Sequence, residues 1–127
     1  MLDTHAWVWW VADPDRLSEP ARRAVERAET VGVAAISCWE VAMLTLRGRI
    51  ALDRELSRWI RGALAQPGLA ALPITPQIAV AAALLEPQGF RGDPADGFIY
   101  ATARDAGAAL VTRDQRLREF DPRGTLW

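Results

Sequence analysis

Short apolar runs alternate with helix-patterned segments along this chain, and that alternation constrains the fold more than any other feature. Residues 31–36, 69–74 and 108–111 read as strands; Met1-Leu2-Asp3 reads as the stub of a first strand and residues 124–127 as a last one. Between them lie segments with helical spacing: 4–11, 18–29, from Ser37 to about Arg47, 54–64, 75–85, 93–105 and 113–120. Several carry start signals, such as Ser18 before a proline in the first turn and Thr75-Pro76 with Pro at the first helical position. Ser37-Cys38-Trp39-Glu40 has the Ser-x-x-Glu form of a capping box. Gly48, the Gln66-Pro67-Gly68 turn and Gly107 are stop signals. Strands that alternate with helices predict an α/β fold, a central and mostly parallel sheet covered by helices on both faces.

In such a sheet, residues just past the carboxyl ends of the strands converge on one crevice. Acidic residues stand at those junctions: Asp3 after Met1-Leu2, Glu40 after the 33–36 run, Asp96 in Gly92-Asp93-Pro94-Ala95-Asp96, and Asp114 after the 109–112 run. Each alone reads as a helix cap or as a charge suited to a helix N-terminus. Four carboxylates in one crevice repel each other, and the usual remedy is a hard divalent cation held by oxygen ligands, Mg²⁺ or Mn²⁺. That chemistry points to phosphodiester hydrolysis, in which a metal neutralises phosphate charge and acidifies the attacking water. A phosphatase using a nucleophilic Asp with an assisting Lys is disfavoured, because all 15 basic residues are Arg.

The bulk numbers exclude other classes. At 127 residues the chain is long enough for one domain with a real core, spanning 1–127. A net charge of −1 gives no overall attraction to nucleic acid, so polyanion binding requires a local basic patch. Arg47 and Arg49 after the Glu40 helix, and Arg113 and Arg116 around Asp114, are candidates for phosphate contacts. The single cysteine, Cys38, rules out an internal disulfide and a Cys-cluster zinc site, and reads as a small buried residue. No signal peptide is evident and no run approaches the ~20 apolar residues of a membrane span, so a cytoplasmic location is expected.

Leu2-Asp3-Thr4-His5-Ala6, Ala35-Ile36-Ser37-Cys38-Trp39-Glu40-Val41-Ala42, Gly92-Asp93-Pro94-Ala95-Asp96, Ala101-Thr102-Ala103 and Leu110-Val111-Thr112-Arg113-Asp114 stand in this order along nearly the whole chain. Together they resemble the PIN-domain ribonucleases, and within them the VapC-type toxins of bacterial toxin–antitoxin pairs. The resemblance implies a three-layer α/β/α domain and a Mg²⁺- or Mn²⁺-dependent endoribonuclease. It maps the metal-site acids onto Asp3, Glu40, Asp96 and Asp114, with Thr4, Asp93 and Thr112 in support. It also implies an RNA substrate, a cognate antitoxin and a homodimer. The sequence departs from the family pattern in having only two residues before Asp3, and in Gly97, where many relatives carry Arg. Two alternatives remain at this point: a PIN-like binding or regulatory module with little catalysis, and a nuclease acting on DNA.

The remaining notable residues read as structural. His5, the only histidine, stands among Trp7, Trp9 and Trp10 and is expected to be packed or to support the site from behind. The tryptophans are expected in the core or at an interface. The Arg22, Arg23 and Arg27 group with Glu19, Glu26 and Glu29 reads as a solvated helix face.

Overall fold

The computed structural model describes residues 1–127. Its elements are α1 (Thr4–Ala12), a single 3-10 turn (Pro14–Arg16), α2 (Glu19–Arg27), β1 (Val31–Ala34), α3 (Ala35–Leu46), α4 (Leu56–Leu64), β2 (Leu69–Leu72), α5 (Pro76–Ala83), α6 (Pro94–Asp105), β3 (Leu110–Val111), α7 (Gln115–Phe120) and β4 (Thr125–Leu126). β1 pairs with β2 and β3 with β4, both parallel. Leu2 joins the two pairs through single parallel bridges to Val33 and to Val111. The order across the sheet is therefore β2, β1, Leu2, β3, β4.

The expected first strand is thus reduced to one bridging residue, yet it occupies the centre of the sheet. The chain builds outward from Leu2 on one side (β1, β2) and then on the other (β3, β4). That reversal is the topological switch point at which an α/β sheet opens a crevice beyond its carboxyl edge. Asp3 is the residue immediately beyond it.

Alternation along the strands creates the layers. Val31, Val33 and Val111 point to one face and join Leu2, Trp7 and Trp59 in the larger core. Ala34 and Leu110 point to the other and join Ile99, Tyr100 and Leu117. α1, α2 and α4 contribute to the first core, α6 and α7 to the second. Trp7 is fully buried and meets Trp59 edge to face at 5.5 Å between centroids. Trp9 is buried too, with Arg16 over its ring at 4.5 Å. Leu2 is completely buried. Leu2→Ala is expected to cost about 2–5 kcal/mol, read as a drop in the urea midpoint, because the cavity would lie where the two halves of the sheet meet.

Several expected boundaries move. β2 ends at Leu72, not residue 74, because Pro73 has no N–H to continue the ladder. The Ser37 capping box is wrong: β1 ends at Ala34 and α3 begins at once at Ala35, capped by Ala34 without a side-chain bond. Ser37 lies inside the first turn, fully buried, with its hydroxyl unpaired. α4 starts at Leu56, later than expected, where the Glu55 carboxylate accepts from Ser57 and Arg58 N–H. α6 follows α5 with no strand between them. The Arg22–Glu19 and Arg23–Glu19 pairs on α2 are exposed, as expected of a solvated face. No helix is long and apolar enough to cross a membrane.

Candidate active site

Each acid reaches the crevice by its own local route. Asp3 is the N-cap of α1, its Oδ1 accepting the Ala6 N–H at 2.6 Å. Asp114 is the N-cap of α7, accepting the Leu117 N–H at 2.9 Å. Asp93 is the N-cap of α6, and Asp96, three residues on, accepts the Asp93 N–H at 3.3 Å to complete a capping box. Glu40 is no cap; it sits in the second turn of α3 and is held by the Thr4 hydroxyl, which donates to its Oε2 at 2.5 Å. The capping reading and the site reading thus coexist for Asp3, Asp96 and Asp114.

Their electrostatics show that they face one another. Burial, opposed chiefly by the Thr112 hydroxyl and the Ala6 N–H, raises the Asp3 carboxyl above its ordinary pKa, with Asp114 adding to the rise. Burial also raises Glu40, and Asp93 and Asp3 push it further. Asp96 is pushed up to about 7, first by burial and then by Glu40 and Asp114. The only cationic partner acting on Asp3 and Glu40 is His5. None of the protein's ion pairs includes Asp3, Glu40, Asp93, Asp96 or Asp114. Half-buried carboxylates that repel each other without a matched cation are a costly arrangement that a bound divalent ion would relieve.

The donor set fits such an ion, all oxygen and anionic. No three His, Cys, Asp or Glu side chains are disposed to enclose an ion directly. Thr112 is fully buried behind the site: its Oγ1 accepts the Asp114 N–H at 3.0 Å, and its hydroxyl favours the ionised form of Asp3.

Other expected residues fall differently. His5 is exposed, its ring 5.8 Å from Trp9, at the edge of the crevice beside Asp3 and Glu40 rather than packed behind it. Arg47 is the C-cap of α3, seven residues beyond Glu40 and so roughly 10 Å further along the helix. Arg47 and Arg49 are therefore carried away from the carboxylates. Arg113 and Arg116 are exposed on either side of Asp114, at the rim. Cys38 is half-buried, its thiol pushed up by burial.

The PIN domain family model matches residues 1–122. The chain belongs to the PIN-domain family. Within it the chain groups with the VapC-type members: it is 45% identical to "Ribonuclease VapC22" of Mycobacterium tuberculosis over 129 residues, covering 100% of this chain and 97% of that protein. Among solved structures it is similar to a toxin–antitoxin complex from Klebsiella pneumoniae, with a TM-score of 0.68 and 17% identity, covering 99% of this chain and 94% of that one. It is also similar to FitAcB from Neisseria gonorrhoeae, with a TM-score of 0.63 and 24% identity over 99% and 95% of the two chains. At those identities the structural likeness speaks for the fold.

Proposed function

We propose that this chain is a Mg²⁺- or Mn²⁺-dependent endoribonuclease, one domain over residues 1–127, acting in the cytoplasm as the toxin of a toxin–antitoxin pair. The observation that carries the reading is the set of mutually repelling, cation-free carboxylates of Asp3, Glu40, Asp96 and Asp114 beyond the switch point. The ribonuclease name of its 45% identical relative supports RNA as the substrate.

A divalent cation at this site supplies neutralisation of phosphate charge and acidification of the attacking water. Asp3 and Asp96 would hold it, with Asp114 completing the acidic wall. Glu40, kept in place by Thr4 and with its carboxyl raised above the ordinary range, orients the attacking water and takes its proton. Arg113 and Arg116 at the rim hold flanking phosphates.

Thr112 and Thr4 are positioning residues. Thr112→Val keeps the shape but strands the Asp114 N–H and removes a hydroxyl that favours the ionised form of Asp3. It is expected to cost roughly 1–3 kcal/mol of stability and about 10- to 100-fold in metal affinity. Following the rise of the melting temperature with added Mg²⁺ measures both.

Exposed apolar residues supply the partner surfaces. Trp39 and Leu46, seven residues apart on one face of α3, are 53% and 77% exposed, and this face, which begins next to Glu40 at Trp39, receives the antitoxin. Val80 and Leu84 on the α5 side are 61% and 53% exposed and suit a second copy of the chain. The deciding experiment is cleavage of single-stranded RNA and DNA side by side with Mg²⁺ or Mn²⁺ titrated after chelation. Metal-restored cutting of RNA is expected. RNA left intact at every metal concentration would overturn the reading.

A further inference from the structure

Next to the acidic crevice, and sharing Asp93 with it, is a cavity of about 490 Å³ between α5 and the start of α6. That volume lies within the range of sites that enclose small organic ligands. Its walls suit a flat ring. Ala82 and Ala83 of α5 and Gly97 of α6 keep the helix surfaces low, and the Phe90 and Phe98 rings supply aromatic area. Phe90 is held in place: it is buried, packs edge to face on Phe120 at 5.4 Å, and lies under Gly92, where a Cβ would fall 2.1 Å from its Cζ. Only glycine at position 92 lets the loop close over this ring.

The polar groups of the cavity are two carboxylates, Glu86 and Asp93, and one guanidinium, Arg91. Paired carboxylates repel a phosphate but accept from N–H donors. Arg91 stands over Glu86, its Nη1 3.8 Å from Oε1 and 3.4 Å from the carbonyl oxygen, so a donor and an acceptor are presented side by side. Asp93 belongs to both places: it lines the cavity and acts electrostatically on Glu40 and Asp96. A strand whose phosphate lies at the acids therefore has a neighbouring base within reach of the cavity.

We propose that this cavity is a base-recognition pocket for an unpaired guanine flanking the scissile phosphate; this rests on the reading of the chain as an RNA-cleaving enzyme. Single-stranded RNA is recognised by splayed bases that stack on aromatic side chains and hydrogen-bond through their edges. Guanine alone offers two adjacent N–H donors on its pairing edge, which one carboxylate of Glu86 accepts together. It also offers O6 and N7 acceptors, the pair that an arginine such as Arg91 contacts in bidentate fashion. Pyrimidines and adenine lack one half of that pattern.

The test has two arms. In the first, the wild-type protein, Gly97→Leu and Glu86→Gln each digest a randomised single-stranded RNA with Mg²⁺, and the new ends are sequenced. A Cβ at Gly97 makes only ordinary contacts, the nearest at 3.7 Å, so the backbone there admits a side chain, which narrows the cavity. Guanine is expected at one fixed position from the cut, favoured roughly tenfold or more over other bases, with that preference lost in both variants. If Gly97→Leu does not fold, Phe98→Ala takes its place. In the second arm, GMP and UMP are titrated into chelator-treated wild-type protein while the amide signals of Gly92, Gly97 and Phe98 are followed; GMP alone is expected to move them. Cleavage without guanine preference, or a preference that survives Gly97→Leu, overturns the proposal while leaving the nuclease reading intact. So does loss of antitoxin binding in Gly97→Leu with an unchanged cut pattern, which would assign the cavity to the protein partner. If the wild-type protein cuts no RNA, the nuclease reading falls, and the failure of GMP to shift those amides removes the pocket as well.

Discussion

Asp3→Asn is expected to lower RNA cleavage by about a thousandfold or more and to relieve growth arrest in cells expressing the protein, while the fold remains. The loss follows from the place of Asp3 at the switch point of the sheet, directly beyond the buried bridging residue Leu2. Removing one carboxylate weakens the hold on a cation whose charge stabilisation is worth several kcal/mol, and each 1.36 kcal/mol is tenfold in rate. The fold survives because Asn is as good an N-cap as Asp. Its side-chain oxygen still accepts the Ala6 N–H. A buried charge is also removed, which offsets any loss of cap strength. Asp3→Ala, by contrast, gives up the cap and is expected to cost roughly 0.5–2 kcal/mol in addition. Initial rates on a labelled RNA, with thermal melts of the same samples, separate the two effects. Cleavage by Asp3→Asn within tenfold of wild type would remove Asp3 from the site.

The parts of this site that were legible in the sequence are those fixed by local chemistry. Asp3, Asp93 and Asp114 are caps because short acceptors preceding a helix satisfy its first N–H groups, and a cap must lie at the helix end wherever the helix is. Their convergence follows from the parallel sheet, which the alternation of apolar runs with helical segments already implied. Glu40 was found as the acid after the 33–36 run, but the helix start expected for it does not hold. The sequence has the form of a capping box with Ser37, but the helix starts three residues earlier. Ala35 and Ile36 fit a strand or a buried helix equally, and a short apolar run has no period to decide between them. Glu40 is placed by Thr4, a contact across 36 positions that no local signal announces. The distance of Arg47 and Arg49 from the acids was not legible, because position along a helix becomes distance from the site only when the direction of the helix is known. His5 was expected to be packed because tryptophans surround it in sequence; on a helix its neighbours at positions 6 to 9 point inward and it points out. The cavity beside α6 depends on how far α5 stands from it, which is a matter of packing rather than pattern.

Asp96→Asn is expected to make the metal-free protein more stable at pH 8 by a few kcal/mol and to abolish much of its response to Mg²⁺. The Asp96 carboxyl titrates near pH 3.8 in the unfolded chain and at about 7 in the folded protein, because burial, Glu40 and Asp114 all oppose its charge. Between those values the folded state holds a proton that the unfolded state has released. Stability is therefore full below about pH 4 and falls as the pH rises towards 7, by roughly 1.4 kcal/mol for each unit of difference. Above that the loss is complete and the curve flattens. Asp3 and Glu40, both raised chiefly by burial, add slopes of the same sign. An amide at position 96 carries no charge at any of these pH values, so its share of the slope vanishes, and the Asn side chain still accepts the Asp93 N–H that closes the helix cap. Mg²⁺ acts in the opposite direction, since it binds the deprotonated site and competes with the proton. For the wild type, metal at about a hundred times its dissociation constant adds close to 2.7 kcal/mol, and the gain grows from pH 5 to pH 8 as the proton leaves. Urea unfolding of both proteins across that range, with chelator and with Mg²⁺, gives the four curves. Wild-type stability that rises from pH 5 to pH 8 in chelator by as much as that of Asp96→Asn would show that the carboxyl is ionised without help. The acids would then need no cation to coexist. The expected result instead makes the mutual repulsion of the carboxylates and their affinity for metal two readings of one free energy.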